Sequence, residues 1–487
     1  MFATFARLML HGGRPYVDFA DIHPPLGYAY WMFVELLAGT DWSRTCLGAW
    51  GSSLAPQPCI SLVAHLLDLG LTFVTAGLTY AIARQLGLRP LFGVLAALCV
   101  VWFANESMIS MEGSTPTKLT LAPSTLAIYA FLRALQAGSR PWAITAGAAA
   151  MLGVMAKQPA LTTSITLVAY LIPGLVRGGR SERRVLLDLV VGGVIVLLPT
   201  LVLLGVAGSL QGFWSEPWVY NIQRFVSGYW QTPAGLSSPA TRIDRVVAQS
   251  GGVLFLGALI GGIALAFGPC HGRQRLLLVW GVCNLAAIAG FREFAQVVPS
   301  MALLAAIGLG RLWDAAGRDG LGLGRPVAGR LTLLAVFGTV FLLTSSFQLT
   351  ELRRAQFERG PGARPADPEL IGAYLRDTAP PGPIFTWGNE AQIYALSGRQ
   401  PSSRFLITEF PRLGSPWATI SRQQVLEDLQ AKPPAVIVVD PHASEESEIS
   451  LGGFPQLQQL LDRCYAKVPQ MPAGWSVYAQ RDAGCGL

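Results

Sequence analysis

The chain has 487 residues, of which 52% are hydrophobic and only 13% charged, with a net charge of +7. Soluble domains carry about 25% charged residues, so an ordinary soluble protein is excluded for most of the length. The positive balance suits arginine-rich loops on the cytoplasmic side of a membrane; no basic stretch interleaved with aromatics suggests nucleic acid as a partner.

In chain order, Met1 to Leu10 lacks the basic start and long apolar core of a cleavable leader. Residues 11–27, HGGRPYVDFADIHPPLG, place Asp18, Asp21 and His23 just before Pro24-Pro25. Carboxylates are costly near hydrocarbon, so this cluster needs a reason. It suits a general base, a metal site for a divalent ion such as Mg or Mn held by Asp18 and Asp21, or both. The plainer reading is a turn that caps the next helix. Residues 25–39 are short, aromatic and amphipathic, which predicts an interfacial helix. Cys46 and Cys59 then flank a Gly/Ser/Pro-rich loop.

Uncharged runs of roughly 15–25 residues recur from Cys59 to Gln348. They predict ten membrane-spanning segments at about 61–83, 90–104, 116–136, 141–156, 160–176, 185–208, 249–268, 275–291, 296–311 and 330–348. Segments 141–156 and 160–176 are short enough to form instead a re-entrant pair around Lys157-Gln158-Pro159. Alternate loops hold arginine groups, among them Arg84 and Arg89, Arg133 and Arg140, Arg180 to Arg184, and Arg273 and Arg275. The positive-inside rule makes these cytoplasmic and turns residues 1–60, the 209–248 loop and the C-terminal part outward. The expected organisation is a first extracytoplasmic loop over 1–60, a transmembrane domain over 61–348 and an extracytoplasmic α/β domain over 349–487.

Cations on the outward side are few. Lys157, Arg224 and Arg292 either snorkel to lipid phosphate or bind the phosphate of a lipid-linked substrate. The aromatics of the 209–248 loop, Phe213, Trp214, Trp218, Tyr220, Tyr229 and Trp230, form an interfacial belt or a wall for a sugar or prenyl chain. In the C-terminal domain the expected elements are a helix over 367–377, a strand in PIFTWG, a short helix in EAQIYALSG, a helix in SRQQVLEDLQAK, a buried strand in AVIVVD and a last strand in GWSVYAQR. Trp387, Arg399 and Arg404 are packing residues or acceptor contacts. Cys464 and Cys485 flank the last strand, and on an oxidising side the pairs 46–59 and 464–485 suit disulfides. With no phosphate-binding loop, dinucleotide fingerprint, zinc-ligand spacing or Ser-His-Asp pattern, direct use of ATP or NAD is not expected.

Four stretches together resemble a family. GGRPYVDFADIHPPLGY is similar to the first outer loop of the GT-C superfamily of membrane glycosyltransferases, in the bacterial branch related to protein O-mannosyltransferases and the lipid A aminoarabinose transferase. AGAAAMLGVMAKQPA resembles its Gly-rich helix ending in lysine, FREFAQVVPSMALLAAIGL its late helix, and IFTWGNEAQIYALSGRQPSSRF its outer soluble domain. The resemblance implies a fold with a polytopic helical membrane domain and a C-terminal α/β domain. It also implies inverting transfer of one sugar from a polyprenyl-phosphate carrier to an extracytoplasmic glycan, lipid or protein, at the plasma membrane. Asp18 matches the family's aspartate between the Tyr and the Pro-Pro, with Asp21 and His23 beside it. Lys157, Arg292 and Arg224 are then candidates for the carrier phosphate, and Tyr16, Trp387, Arg399 and Arg404 for the sugar or acceptor. Against the family pattern, Met1 falls just after the place of a first transmembrane helix and an acidic Asp-Glu pair, so a start further upstream is expected. The competing readings are a transporter or flippase of lipid-linked substrates, for which no internal repeat speaks, and an inactive paralogue.

Overall fold

Two kinds of packing follow from the change in composition. The computed structural model describes residues 1–39, 59–105, 116–226, 252–268, 272–291, 294–319, 329–332, 335, 338–339, 367–441, 449–469, 471 and 474–481. The chain divides into two compact units, one of Met1–Val63, Val202–Leu236 and Arg359–Leu487, the other of Ala64–Leu201 and Ser237–Glu358.

The second unit is helical. Each of the first nine predicted segments is found as a helix, and the tenth, 330–348, lies mostly outside the described residues. Numbering from α1 (Phe2–Leu10) and α2 (Leu26–Ala38) of the first unit, the helices are α3 (Cys59–Gln85), α4 (Pro90–Phe103), α5 (Pro116–Ala137), α6 (Arg140–Ala156), α7 (Leu161–Val176) and α8 (Arg180–Val206). After α9 (Leu210–Trp214) and α10 (Asn221–Val226) come α11 (Gly252–Phe267), α12 (Arg275–Phe291) and α13 (Phe294–Asp319). Among the described residues, four helices are long and apolar enough to cross a membrane: Cys59–Gln85, Gln158–Val176, Arg180–Val206 and Ala295–Gly317.

Glycines set the close crossings of this bundle. A Cβ on Gly147 of α6 would lie 1.9 Å from the Leu189 carbonyl oxygen of α8, and one on Gly192 of α8 equally close to that of Ile144. Gly261 of α11 meets the Leu304 oxygen of α13 at 1.8 Å in the same way. Small residues at helix crossings are the usual solution where lipid supplies no hydrophobic drive for association. Helix α13 is buried from Val297 to Leu309, while α8 exposes Leu187, Val190, Ile195, Leu198 and Leu203, an apolar face suited to lipid. Between α6 and α7 the helix breaks: Lys157 is extended (φ −161°, ψ 139°) and a 3-10 turn spans Gln158–Ala160.

In the first unit, α2 exposes Phe33, Leu36 and Leu37. The C-terminal part is the α/β domain expected. Helix α14 (Asp367–Asp377) precedes β1 (Ile384–Trp387), α15 (Gln392–Ser397), α16 (Ala418–Ala431), β2 (Val436–Val439), α17 (Pro455–Cys464), β3 (Tyr465–Lys467) and β4 (Ser476–Gln480). The sheet order is β1-β2-β4-β3. Strands β1 and β2 are parallel, Ile384 opposite Val436, and both are buried at every position, which explains their unbroken apolar runs. Strand β4 runs antiparallel to β2 and to β3. Gly398 ends α15 in the left-handed conformation (φ 68°). Helix α17 and strand β3 are additions to the expected elements.

Candidate functional site

The acidic loop is built outward from α1. The helix ends at His11, and Gly12 (φ 90°) turns the chain. Arg14 then grips Asp18 four residues on. Its backbone N–H donates to Asp18 Oδ2 at 2.7 Å and its guanidinium donates to both oxygens at 3.2 Å. Tyr16, between them, is the one non-glycine residue at positive φ (62°) among the described residues, a conformation that persists only where surroundings enforce it. Here the Tyr16 hydroxyl donates to the His23 carbonyl at 2.6 Å, and Arg404 Nη2 donates to the Tyr16 carbonyl at 2.7 Å. Burial raises the Tyr16 hydroxyl well above its usual pKa, so it stays a donor.

This turn sends the two aspartates into different surroundings. Asp21 is fully buried. It accepts from its neighbour's Ile22 N–H at 2.7 Å, from the Tyr28 hydroxyl at 2.6 Å and from the ring of His23, whose Nδ1 lies 2.9 Å from Oδ1. An Nδ1–H given to Asp21 leaves Nε2 as the acceptor of that ring. Behind the loop, Glu216 accepts the Asp21 N–H at 2.9 Å and pairs with Arg404. Burial pushes the Glu216 carboxyl up to about 8; Arg404 and the Asp21 N–H oppose the shift, and the Asp21 charge adds to it. Glu216 lies in a π-helical turn, Ser215–Tyr220, that follows α9.

Asp18 is different. Its side chain is 43% exposed, and Arg14 holds it below the usual carboxylate range. It opens onto a cleft of about 660 Å³ whose wall also includes His11, Ser402, Ser403, Arg404, Asp428 and Lys432, but neither Asp21 nor His23.

No family model matches the sequence, and no curated protein does. Solved structures do match. The archaeal oligosaccharyltransferase AglB from Archaeoglobus fulgidus, in complex with an inhibitory peptide and a dolichol-phosphate, superposes with a TM-score of 0.59 at 13% identity, over 96% of this chain and 66% of that one. ArnT from Cupriavidus metallidurans bound to undecaprenyl phosphate gives 0.57 at 15%, over 99% of this chain and 93% of that one. ArnT in the apo state gives 0.52 at 14%, over 95% of each. The chain has the GT-C fold.

On that GT-C scaffold the residues singled out in the sequence fall into three groups. Asp21 and His23 are joined, with Tyr16 and Arg404 around them, whereas Asp18 stands on the cleft. Lys157 belongs to the helical unit, where the break after α6 leaves its ammonium donating to Thr117 Oγ1 at 3.0 Å. Arg292 lies outside the described residues. The remaining three are engaged within the first unit. Arg224, 5% exposed, pairs with Glu409, which also takes Arg412 at 3.2 Å. Trp387 is fully buried and donates its indole N–H to Ile449 at 2.7 Å. Arg399 donates to the carbonyls of Leu375, Ala379, Pro380 and Gly382, closing the end of α14.

Of the outer aromatics, Phe213 and Tyr220 turn inward, Tyr220 packing on Phe410 and Trp417, while Trp214 stays exposed; Tyr229 and Trp230 lie outside the described residues. Cys59 and Cys464 are each disulfide-bonded, and Cys46 and Cys485 lie outside the described residues. Asp18 is paired with Arg14, and Asp21 accepts from Ile22, His23 and Tyr28; among the described residues no group of three or more His, Cys, Asp or Glu could hold a metal ion.

Sequence reasoning missed Glu216, Tyr28, Asp428 and Lys432. Only Glu216 had a signal, as an isolated acid within an aromatic, otherwise apolar stretch.

Proposed function

We propose that this protein is an integral membrane glycosyltransferase that moves a monosaccharide from a polyprenyl-phosphate carrier to an extracytoplasmic acceptor hydroxyl. The observation that carries the reading is the exposed Asp18 carboxylate on an open cleft of a GT-C fold. In the reaction the acceptor oxygen bonds to the anomeric carbon from the face opposite the carrier, the carbon–oxygen bond to the phosphate breaks, and polyprenyl phosphate leaves. Phosphate departs without a general acid, so the protein must supply a base and a cation. Asp18 takes the acceptor proton. Its pairing with Arg14 keeps it ionised at neutral pH, and a weak base suffices because the leaving group is good. Asp21, with no exposed surface, holds His23 and the loop. Lys157 remains the residue proposed for the carrier phosphate. Lipid phosphates bound to AglB and ArnT support such a donor.

The test is transfer of labelled sugar from polyprenyl-phosphate donors in membranes containing the full chain. Asp18→Asn is expected to lower the rate by about 10²–10⁴-fold, the usual worth of a general base, with insertion unchanged. Full transfer by Asp18→Asn, together with loss in His23→Gln, would move the base to the Asp21–His23 pair. Absence of transfer from every donor offered would sink the enzyme reading.

A further inference from the structure

The helix break that carries Lys157 is held by residues far from it in sequence. We infer that Gln296 and Asn284 are positioning residues that fix this break and so place the Lys157 ammonium for the carrier phosphate; this rests on the role proposed for Lys157 and deepens it.

An unbroken helical ladder cannot run through this point. Lys157 is extended, and Pro159, two residues on, has no N–H to give. Within a membrane bundle, side chains of neighbouring helices take over the backbone groups that such a break frees. Gln296, in the first turn of α13, does so. Its Nε2 donates to the Pro159 carbonyl at 2.9 Å and to Thr162 Oγ1 at 3.0 Å. The Thr162 hydroxyl, at the start of α7, lies 2.9 Å from both the Pro159 carbonyl and Asn284 Oδ1 of α12. Asn284 Nδ2 donates to Ser300 Oγ of α13 at 3.1 Å, and that hydroxyl donates to the Val297 carbonyl at 2.8 Å. Donors and acceptors thus run in one order, from Gln296 through Thr162 to Asn284 and back onto α13. Asn284 and Ser300 are fully buried and Gln296 is 2% exposed.

Single interhelical hydrogen bonds contribute little to holding membrane helices together, so two buried amides in this bundle need a use beyond association. Their bonds converge on Pro159 and Thr162, just after Lys157. The chain before the break is fixed separately, against α5. A Cβ on Gly153 would lie 3.1 Å from Ser124 Oγ and 3.2 Å from Ala160 Cβ, and the Lys157 ammonium donates to Thr117 Oγ1 of α5 at 3.0 Å. The Lys157 N–H donates to the Gly153 carbonyl at 3.0 Å and the Lys157 carbonyl accepts from Ala160 at 3.1 Å, which joins the two sides through Lys157 itself. Release of the Gln296 and Asn284 side therefore moves Lys157, and a shift of about 1 Å at a reacting group costs about 10²-fold.

The test is titration of the detergent-solubilised full chain with undecaprenyl phosphate. It compares the native protein, Lys157→Met, Gln296→Met, Asn284→Leu, and each of the last two combined with Lys157→Met. Lys157→Met should weaken binding about 10–100-fold, the worth of a charge-assisted hydrogen bond. Gln296→Met and Asn284→Leu should each weaken it about tenfold, and neither should weaken it further once Lys157→Met is present. A general loss of packing would instead lower affinity by the same factor in both backgrounds, and that result overturns the inference. So does native affinity in both single variants while Lys157→Met is impaired; the phosphate role of Lys157 then stands. Native affinity in Lys157→Met, or no binding by the native chain, removes that phosphate role and the inference with it. Unfolding midpoints of all variants are measured alongside. Thr162→Val, which deletes only the shared hydroxyl, carries the same expectation should the larger changes prevent folding.

Discussion

Glu216 sits where a carboxyl is hardest to keep charged. Buried beside a second carboxylate, it is raised to about 8 although Arg404 draws it the other way. Linkage fixes the consequence. A folded-state pKa above the unfolded value near 4.5 means that the folded form holds the proton more tightly. The stability this contributes is complete below about 4.5 and is lost as pH rises through about 8. Thermal unfolding in detergent from pH 5 to 9 should therefore show a falling midpoint for the native chain. Glu216→Gln, which mimics the neutral carboxyl and keeps an acceptor for the Asp21 N–H, should flatten that slope. Parallel curves for the two would show that Glu216 is already ionised in this range. Asp18 behaves oppositely. Arg14 lowers its carboxyl, so transfer that depends on the ionised form should persist to acid pH and fall only at the low end of the carboxylate range, which a rate profile in pH would read directly.

At the scale of elements, the loop that carries the acids is clamped from behind by α9. A Cβ on Gly212 would lie 2.5 Å from both the Cβ and the carbonyl oxygen of Tyr16, and the Phe213 ring packs 5.8 Å from that of Tyr16. Gly212→Ala should cost about 1–3 kcal/mol, as overpacking does, seen as a lower unfolding midpoint; an unchanged midpoint would mean the helix can slide off the loop. Nothing in LQGFW announces this contact. By contrast the helices of the bundle and most of the α/β domain were legible, because apolar runs and 3.6-residue periods are local signals. Helix α17 and strand β3 were not, the strand being three residues at a sheet edge. The acidic site was half legible. Residue types at Asp18, Asp21 and His23 drew attention to the loop, yet their spacing placed them together. The positive φ of Tyr16 and the bridge between Pro15 and Phe19 separate Asp18 from the other two. Arg404 and Glu216 are 188 positions apart, and no local pattern joins them.

For the whole molecule, two independent signals bear on sidedness. Disulfides persist on the oxidising side of a membrane, and Cys59 and Cys464 are both disulfide-bonded. Arginine-rich loops stay in the cytoplasm, and the chain concentrates such residues at Arg84 and Arg89, Arg133 and Arg140, and Arg180 to Arg184. Among the described residues the free thiols, Cys99 and Cys283, lie within apolar helices. Denatured but unreduced protein should therefore react with maleimide at Cys99 and Cys283, and at Cys59 and Cys464 only after reduction, as mass spectrometry of the peptides would show. Sidedness follows from single cysteines placed at exposed positions, Gln456→Cys in α17 and Ser181→Cys at the start of α8. If the two signals have one cause, an impermeant maleimide applied to intact cells labels Gln456→Cys and leaves Ser181→Cys untouched until the membrane is opened. Labelling of Ser181→Cys in intact cells would reverse the topology. The Asp18 cleft would then face cytoplasmic rather than extracytoplasmic acceptors, and the disulfides would need a different explanation.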